Sequence, residues 1–165
     1  MASVTIITGD FDSGKTQTMI DLYLKQPSHT SDGFVSVKTY DDQGVLLGYR
    51  LVCLTTRKGE MFIIDTTKDA QSFERFFVYD RFVFSLPVID TAYTSIQSWI
   101  EDPMIETIFL DEVGMVECVN MGFGMILKEL LKTEKNLVLA VNKSNLKMVL
   151  DCFDIKNPKM ITIGS

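Results

Sequence analysis

The chain has 165 residues, 46% of them hydrophobic and 23% charged, with 11 Phe and 5 Tyr and a net charge of −6. This is the make-up of one globular domain, residues 1–165, and it excludes a disordered chain, which lacks the apolar area to build a core. The acidic balance excludes a broad basic face, so no nucleic-acid partner is expected, although a small basic pocket for phosphates stays compatible with it.

In chain order, Val4–Thr8 is a short apolar, β-branched run, the pattern of a strand buried on both faces. From Lys15, the apolar positions Met19, Leu22, Tyr23 and Leu24 mark one helical face that Pro27 and Ser28 terminate. Phe34–Tyr40, Val45–Leu54 and Met61–Asp65 read as strands, with turns at Asp41-Asp42-Gln43-Gly44 and Lys58-Gly59. The stretch 66–77 carries a weak pattern, with a short helix expected around Ala70–Phe76. Phe82–Ser85 is a strand. Pro87 then opens a helix whose face is Val88, Ala92, Ile96, Trp99 and Ile100. Ile105–Leu110 is a second continuous apolar strand, and Val119–Leu131 a helix weakened by Gly122 and Gly124. Leu137–Val141, a short helix over Leu146–Asp151 and a strand at Met160–Ile163 close the chain.

Strands alternating with helices imply βαβ units and a mainly parallel sheet, with an antiparallel hairpin addition at one side. No run approaches the roughly 20 apolar residues of a membrane span. The N-terminal apolar run is too short for a signal peptide. Cys53, Cys118 and Cys152 form no CxxC pair. They are expected to be reduced thiols in a cytoplasmic protein.

Gly9-Asp10-Phe11-Asp12-Ser13-Gly14-Lys15-Thr16 fits the phosphate-loop pattern G-x-x-x-x-G-K-[ST], with Gln17 following in the helix. The spacing has a mechanical reason. A strand must end, the loop must wrap a phosphate with its N–H groups, and a helix must begin with its positive end toward the anion. Lys15 then reaches the β- and γ-phosphates and the Thr16 hydroxyl can ligate Mg2+. Asp10 and Asp12 place two carboxylates in a loop meant for a polyanion, so their side chains are expected to point into solvent.

The strand from Ile105 ends in Asp111-Glu112. Asp111 stands where phosphate-loop proteins carry the acid on the metal side, and Glu112 is placed to polarise a water for in-line attack. The long stretch between Lys15 and Asp111 leaves room for at least one extra strand between the two elements. The expected fold is therefore α/β, a three-layer P-loop NTPase fold of the RecA-like branch.

Asp111-Glu112-Val113-Gly114-Met115-Val116-Glu117 resembles the Asp-Glu-Ile-Gly-Lys-Met-Glu segment of the cancer-related nucleoside-triphosphatases, a family of small P-loop enzymes. Gly48-Tyr49 resembles the Gly-Phe step of that family, and Arg81-Phe82-Val83 its basic-aromatic-Val strand start. The resemblance runs over most of the chain. It implies slow, Mg2+-dependent hydrolysis of several nucleoside triphosphates, ATP and GTP among them, with Asp111 on the metal side, Glu112 as base and Glu117 as a further family acid. Met115 stands where the family usually has Lys, and Leu46 where an Arg often precedes the Gly-Phe step. Each departure removes a cation from a site where cations stabilise the transferring phosphoryl group.

Asp111-Glu112-Val113-Gly114 also fits D-x-x-G, and Asn142-Lys143-Ser144-Asn145 resembles the guanine-reading N-K-x-D, but Asn145 replaces the base-reading Asp. Asn142 could serve as a polar sensor of the γ-phosphate. Of Arg57, Arg75 and Arg81, Arg81 is the first choice for an arginine finger. His29 belongs to a loop, and the nine Met and Trp99 to apolar faces. Two other functions compete with hydrolysis. A nucleotide-dependent switch would use the 66–77 stretch as its moving part. A small-molecule kinase would need an acceptor pocket and an Arg-rich lid, and the sequence shows no basic lid cluster.

Overall fold

The computed structural model of the chain describes residues 2–65 and 73–164. The phosphate-loop strand β1 (Ser3–Gly9) leads into helix α1 (Lys15–Leu24), and the chain continues through β2 (Ser31–Tyr40), β3 (Leu46–Cys53), β4 (Gly59–Asp65), β5 (Phe76–Tyr79) and β6 (Phe82–Ser85). Helix α2 (Leu86–Glu101), β7 (Thr107–Leu110), α3 (Met115–Cys118), α4 (Gly124–Leu131), β8 (Asn136–Asn142), α5 (Leu146–Cys152) and β9 (Lys159–Thr162) follow.

The described strands form one sheet in the order β5-β6-β4-β3-β2-β7-β8-β1-β9. The half from β2 to β9 is parallel and the half from β3 to β5 is antiparallel. The expected hairpin addition is thus larger, a four-stranded antiparallel extension. The strand inserted between β1 and β7 is β8, which comes after Asp111 in the chain. The long stretch before Asp111 does not supply it, and instead builds the far side of the sheet. Parallel pairing across a sheet needs crossovers, so a strand's place in the sheet does not follow its place in the sequence.

Two apolar layers cover the sheet. On one face Met19 of α1 packs with Ile7, Phe109, Val138 and Ala140. On the other, α2, α4 and α5 pack on Ile6, Ile108, Leu110, Leu137 and Leu139. Ile6 and Ile7 point to opposite faces and are both fully buried, each worth about 1.5–3 kcal/mol of burial. This is why the run at Val4–Thr8 lacks the polar alternation of a half-exposed strand. Ser85 caps α2 by accepting a bond from the Val88 N–H, and Pro87 occupies the first turn, where an N–H has no helical partner.

Three expectations change. The helix expected over Val119–Leu131 begins only at Gly124, as α4; a separate short helix, α3, precedes the range, and the Glu117 carboxylate accepts the Phe123 N–H and turns the chain between Cys118 and Gly124. The helix around Ala70–Phe76 lies partly outside the described residues, and its last residue begins β5. Cys118 and Cys152 are joined in a disulfide that ties α3 to α5, and Cys53 is the free thiol. Spacing could not show this pair, since the two elements meet only through the fold. The thiol argument for a cytoplasmic setting therefore keeps only Cys53. Of the nine Met, Met19 is core, while Met104, Met115, Met125 and Met160 are exposed. No described helix is long and apolar enough to cross a membrane.

Candidate nucleotide site

The site lies at the carboxyl ends of the parallel strands, where open α/β sheets place their ligands. The loop after β1 turns back on itself before α1. At Gly9 a side chain would strike the Ser13 hydroxyl, its Oγ being 2.5 Å from the added Cβ, and at Gly14 the backbone is left-handed, with φ +97°. Both conditions select glycine. Lys15 is buried, and its Nζ donates to the main-chain carbonyls of Asp10 at 2.7 Å and Gly9 at 3.3 Å. The Ser13 hydroxyl is buried with no hydrogen-bond partner in the protein. A polar atom left orphaned inside a loop is what an anion seat presents to its ligand.

Asp111 is anchored by three donors. The Thr16 hydroxyl reaches its Oδ2 at 2.7 Å, the Ser36 N–H the same oxygen at 3.1 Å, and the Glu112 N–H its Oδ1 at 3.0 Å. Burial raises the pKa of this carboxyl, and the three hydrogen bonds and the Lys15 charge oppose the rise. Thr16 and Asp111 together fit a Mg2+ ion. They offer hard oxygen donors at one point, and Mg2+ takes few protein ligands, filling its octahedron with water and phosphate oxygens. No group of three or more Asp, Glu, His or Cys side chains placed to hold a metal ion occurs among the described residues, so a dedicated protein cage is not what the site provides.

Glu112 follows in a left-handed conformation, φ +55°, an uncommon backbone for a residue with a side chain. This bend separates its carboxyl from that of Asp111 and turns it into the cleft. Its pKa is pushed up to about 6, first by desolvation among the surrounding groups and then by the Asp111 charge, with Lys15 and Lys38 pulling the other way.

A cleft of about 450 Å³ joins these groups, lined by Phe11–Gln17, Ile20, Ser36–Lys38 and Glu112. Gln17 borders it and bonds to Asp21. Lys38 is the residue that sequence reasoning missed. The last pair between β2 and β7 is Phe34 with Leu110, so β2 runs on past the end of β7, paired there only with β3, and carries Lys38 over the loop. There Lys38 pairs with the Asp12 carboxylate and its Nζ sits 4.2 Å from the Phe11 ring centre. Asp12 is therefore not simply solvated, whereas Asp10 is exposed. The one available signal was a lone lysine inside the otherwise uncharged Phe34–Tyr40 strand.

Arg81 is not among the cleft-lining residues. Its Nε lies 3.3 Å from the buried Asp65 carboxylate, and its guanidinium lies 5.1 Å from the Phe82 ring centre. Arg75 pairs with Asp90 on the surface, and Arg57 and His29 occupy turns. The Asn142 side chain accepts the Ser144 N–H and hydroxyl, capping the turn after β8. Glu117 is buried and accepts the N–H groups of Gly114 at 2.9 Å and Phe123 at 3.1 Å. It braces the segment that carries Glu112, and burial pushes its pKa up to about 7.

Beside the cleft lies a second, largely apolar chamber of about 250 Å³, walled by the antiparallel strands and the segment from Gly114 to Phe123. Tyr49 of the Gly48-Tyr49 step faces this chamber, as do Met115 and Phe82.

A phosphate loop between a buried strand and a helix, with an aspartate from a non-adjacent strand bonded to its threonine, defines a P-loop nucleotide-binding domain. A family model described as NTPase matches residues 4–163, and the chain belongs to that NTPase family. Among solved structures it is similar to THEP1 from the hyperthermophile Aquifex aeolicus, with a TM-score of 0.63 and 17% identity over 97% of this chain and 89% of that one. It is also similar to a human cancer-related nucleoside triphosphatase, with a TM-score of 0.67 and 16% identity over 99% and 90%. At these identities the likeness is one of fold. A comparison with curated proteins finds no match.

Proposed function

We propose that the protein hydrolyses nucleoside triphosphates, ATP and GTP among them, to diphosphate and phosphate in a Mg2+-dependent reaction. The observation that carries this reading is that Lys15, Thr16 and Glu112 border one cleft, with Asp111 bonded to the Thr16 hydroxyl. The loop N–H groups and the positive end of α1 hold the phosphate chain. The Lys15 ammonium, now on two main-chain carbonyls, gains charged acceptors of greater strength. Mg2+ held at Thr16 and Asp111 would neutralise charge on the phosphate oxygens. Glu112 orients a water and takes its proton. Lys38 supplies the second cation that Met115 and Leu46 do not, and nucleotide binding draws it from Asp12. Beyond these groups the cleft offers Phe11, which is 60% exposed, with Ile20 and Val37. Apolar and aromatic surfaces contact any base without reading its edge, which accords with loose base preference.

The experiment is phosphate release from ATP, GTP, CTP and UTP, with Mg2+ and with chelator, by wild type and Glu112→Gln. All four nucleotides should turn over with Mg2+ and none with chelator. Glu112→Gln should lower kcat by about 10²–10⁴-fold with nucleotide binding retained. Equal rates for the two proteins would remove Glu112 from its role.

A further inference from the structure

The phosphate cleft and the apolar chamber meet. Ser36 and Glu112 line both, so anything held in the chamber has the phosphate-facing carboxylate at its mouth. A water molecule attacking a phosphate needs Glu112 but no room of this kind. The chamber has the size and walls of a binding site for an organic molecule. Phe62, Phe82, Phe84 and Phe123 supply aromatic surface, and Tyr49 adds a ring with a polar tip. Its volume of about 250 Å³ is below the ~300–1,000 Å³ of sites for drug-sized ligands, which suits one or two rings. No Lys or Arg lines it, while Asp111, Glu112 and Glu117 do. Anionic occupants, phosphorylated ones included, would be desolvated beside carboxylates with no counter-charge.

We propose that the chamber is an acceptor site for a small uncharged aromatic alcohol, which receives the γ-phosphoryl group of the nucleotide in the cleft. The inference rests on the nucleotide reading above and names the acceptor that competes with water. The alcohol oxygen attacks the γ-phosphorus and forms the new O–P bond. The bond from that phosphorus to the β,γ-bridging oxygen breaks, and the nucleoside diphosphate leaves with the electron pair. The hydroxyl proton passes to Glu112. The products are an aryl-alkyl phosphate monoester and a diphosphate. The absence of a basic lid cluster from the sequence fits this acceptor, since a neutral alcohol needs no cationic clamp.

The test uses the full chain with Mg2+, γ-labelled ATP, and benzyl alcohol and naphthylmethanol as probes. Saturation-transfer NMR reads occupancy of the chamber, and chromatography reads where the label goes. The proposal predicts probe signals from the aromatic walls and label in a phosphate ester. Met115→Trp fills the chamber from a residue that is 48% exposed, so the fold is kept. It should weaken the probe signal about tenfold or more while ATP affinity is unchanged. Absence of probe binding to a protein that binds ATP overturns the proposal. So does bound probe with all label in inorganic phosphate, and in both cases hydrolysis stands. Failure of the wild type to bind ATP overturns the nucleotide reading itself and the transfer with it.

Discussion

The two cavities that meet at Glu112 are built of opposite materials. The phosphate cleft is made of main-chain N–H groups, two lysines and two carboxylates, and its walls come from the parallel half of the sheet. The chamber is made mainly of aromatic and aliphatic side chains, and the antiparallel strands β3, β4 and β6 contribute its far wall. The difference is one of grammar. A phosphate grip needs fixed backbone geometry, so it is written in glycines at set spacing. An apolar chamber needs only shape, which many side-chain combinations supply. The first kind of site is visible in a sequence and the second is not.

The comparison can be broken first at Lys38. If the cleft acts by charge, Lys38→Met should lower kcat by about 10²-fold, the scale seen when one donor to a developing anion is lost. The same variant removes a charge that holds the Glu112 pKa down, so the midpoint of the pH profile should move upward. Steady-state phosphate release across pH measures both, and unchanged turnover would return Lys38 to the surface.

A second effect is the pH dependence of the wild type. The active form of Glu112 is the carboxylate, whose pKa is about 6. As kcat/KM reports groups of the free enzyme, it should fall about tenfold per pH unit below that value and level above it. A flat profile through this range would show that the carboxylate does not take the proton.

The smallest effect concerns the chamber side. Glu117 is buried and its two oxygens accept two N–H groups, so Glu117→Gln sets an amide N–H₂ against a donor. The cost should be about 1–3 kcal/mol in a denaturant titration. The sign of its pH dependence is fixed. The folded pKa is about 7 against 4.5 for the free group, so the folded chain holds more protons between those values. Stability is therefore fully present below 4.5 and is lost as pH rises through about 7. In Glu117→Gln that decline should shrink, and a decline of equal size would assign it elsewhere.

The same contrast explains what the sequence made legible. Gly9, Gly14, Lys15 and Thr16 could be placed because the loop's geometry demands those residue types at those positions. Asp111 and Glu112 could be placed because an apolar strand ends on them. Lys38 could not, since its role depends on how far β2 overruns β7, a matter of register. Cys118 and Cys152 could not be paired, since nothing local brings α3 to α5. The non-helical turn over residues 119–123 was hidden because a buried carboxylate, rather than a proline, makes it. The four-stranded antiparallel side was read as a hairpin because β5, only four residues long, is too short to show alternation, and because nothing local shows that β6 pairs with β4.

The central claim is that the amide-lined loop and Lys15 hold the triphosphate of a nucleotide. Titration of a fluorescent ATP analogue in Mg2+ into wild type and Lys15→Ala tests it directly. The account predicts binding to the wild type and an affinity about 10–100-fold weaker in the variant, the worth of a charge-assisted hydrogen bond. Equal affinity in the two proteins would contradict it.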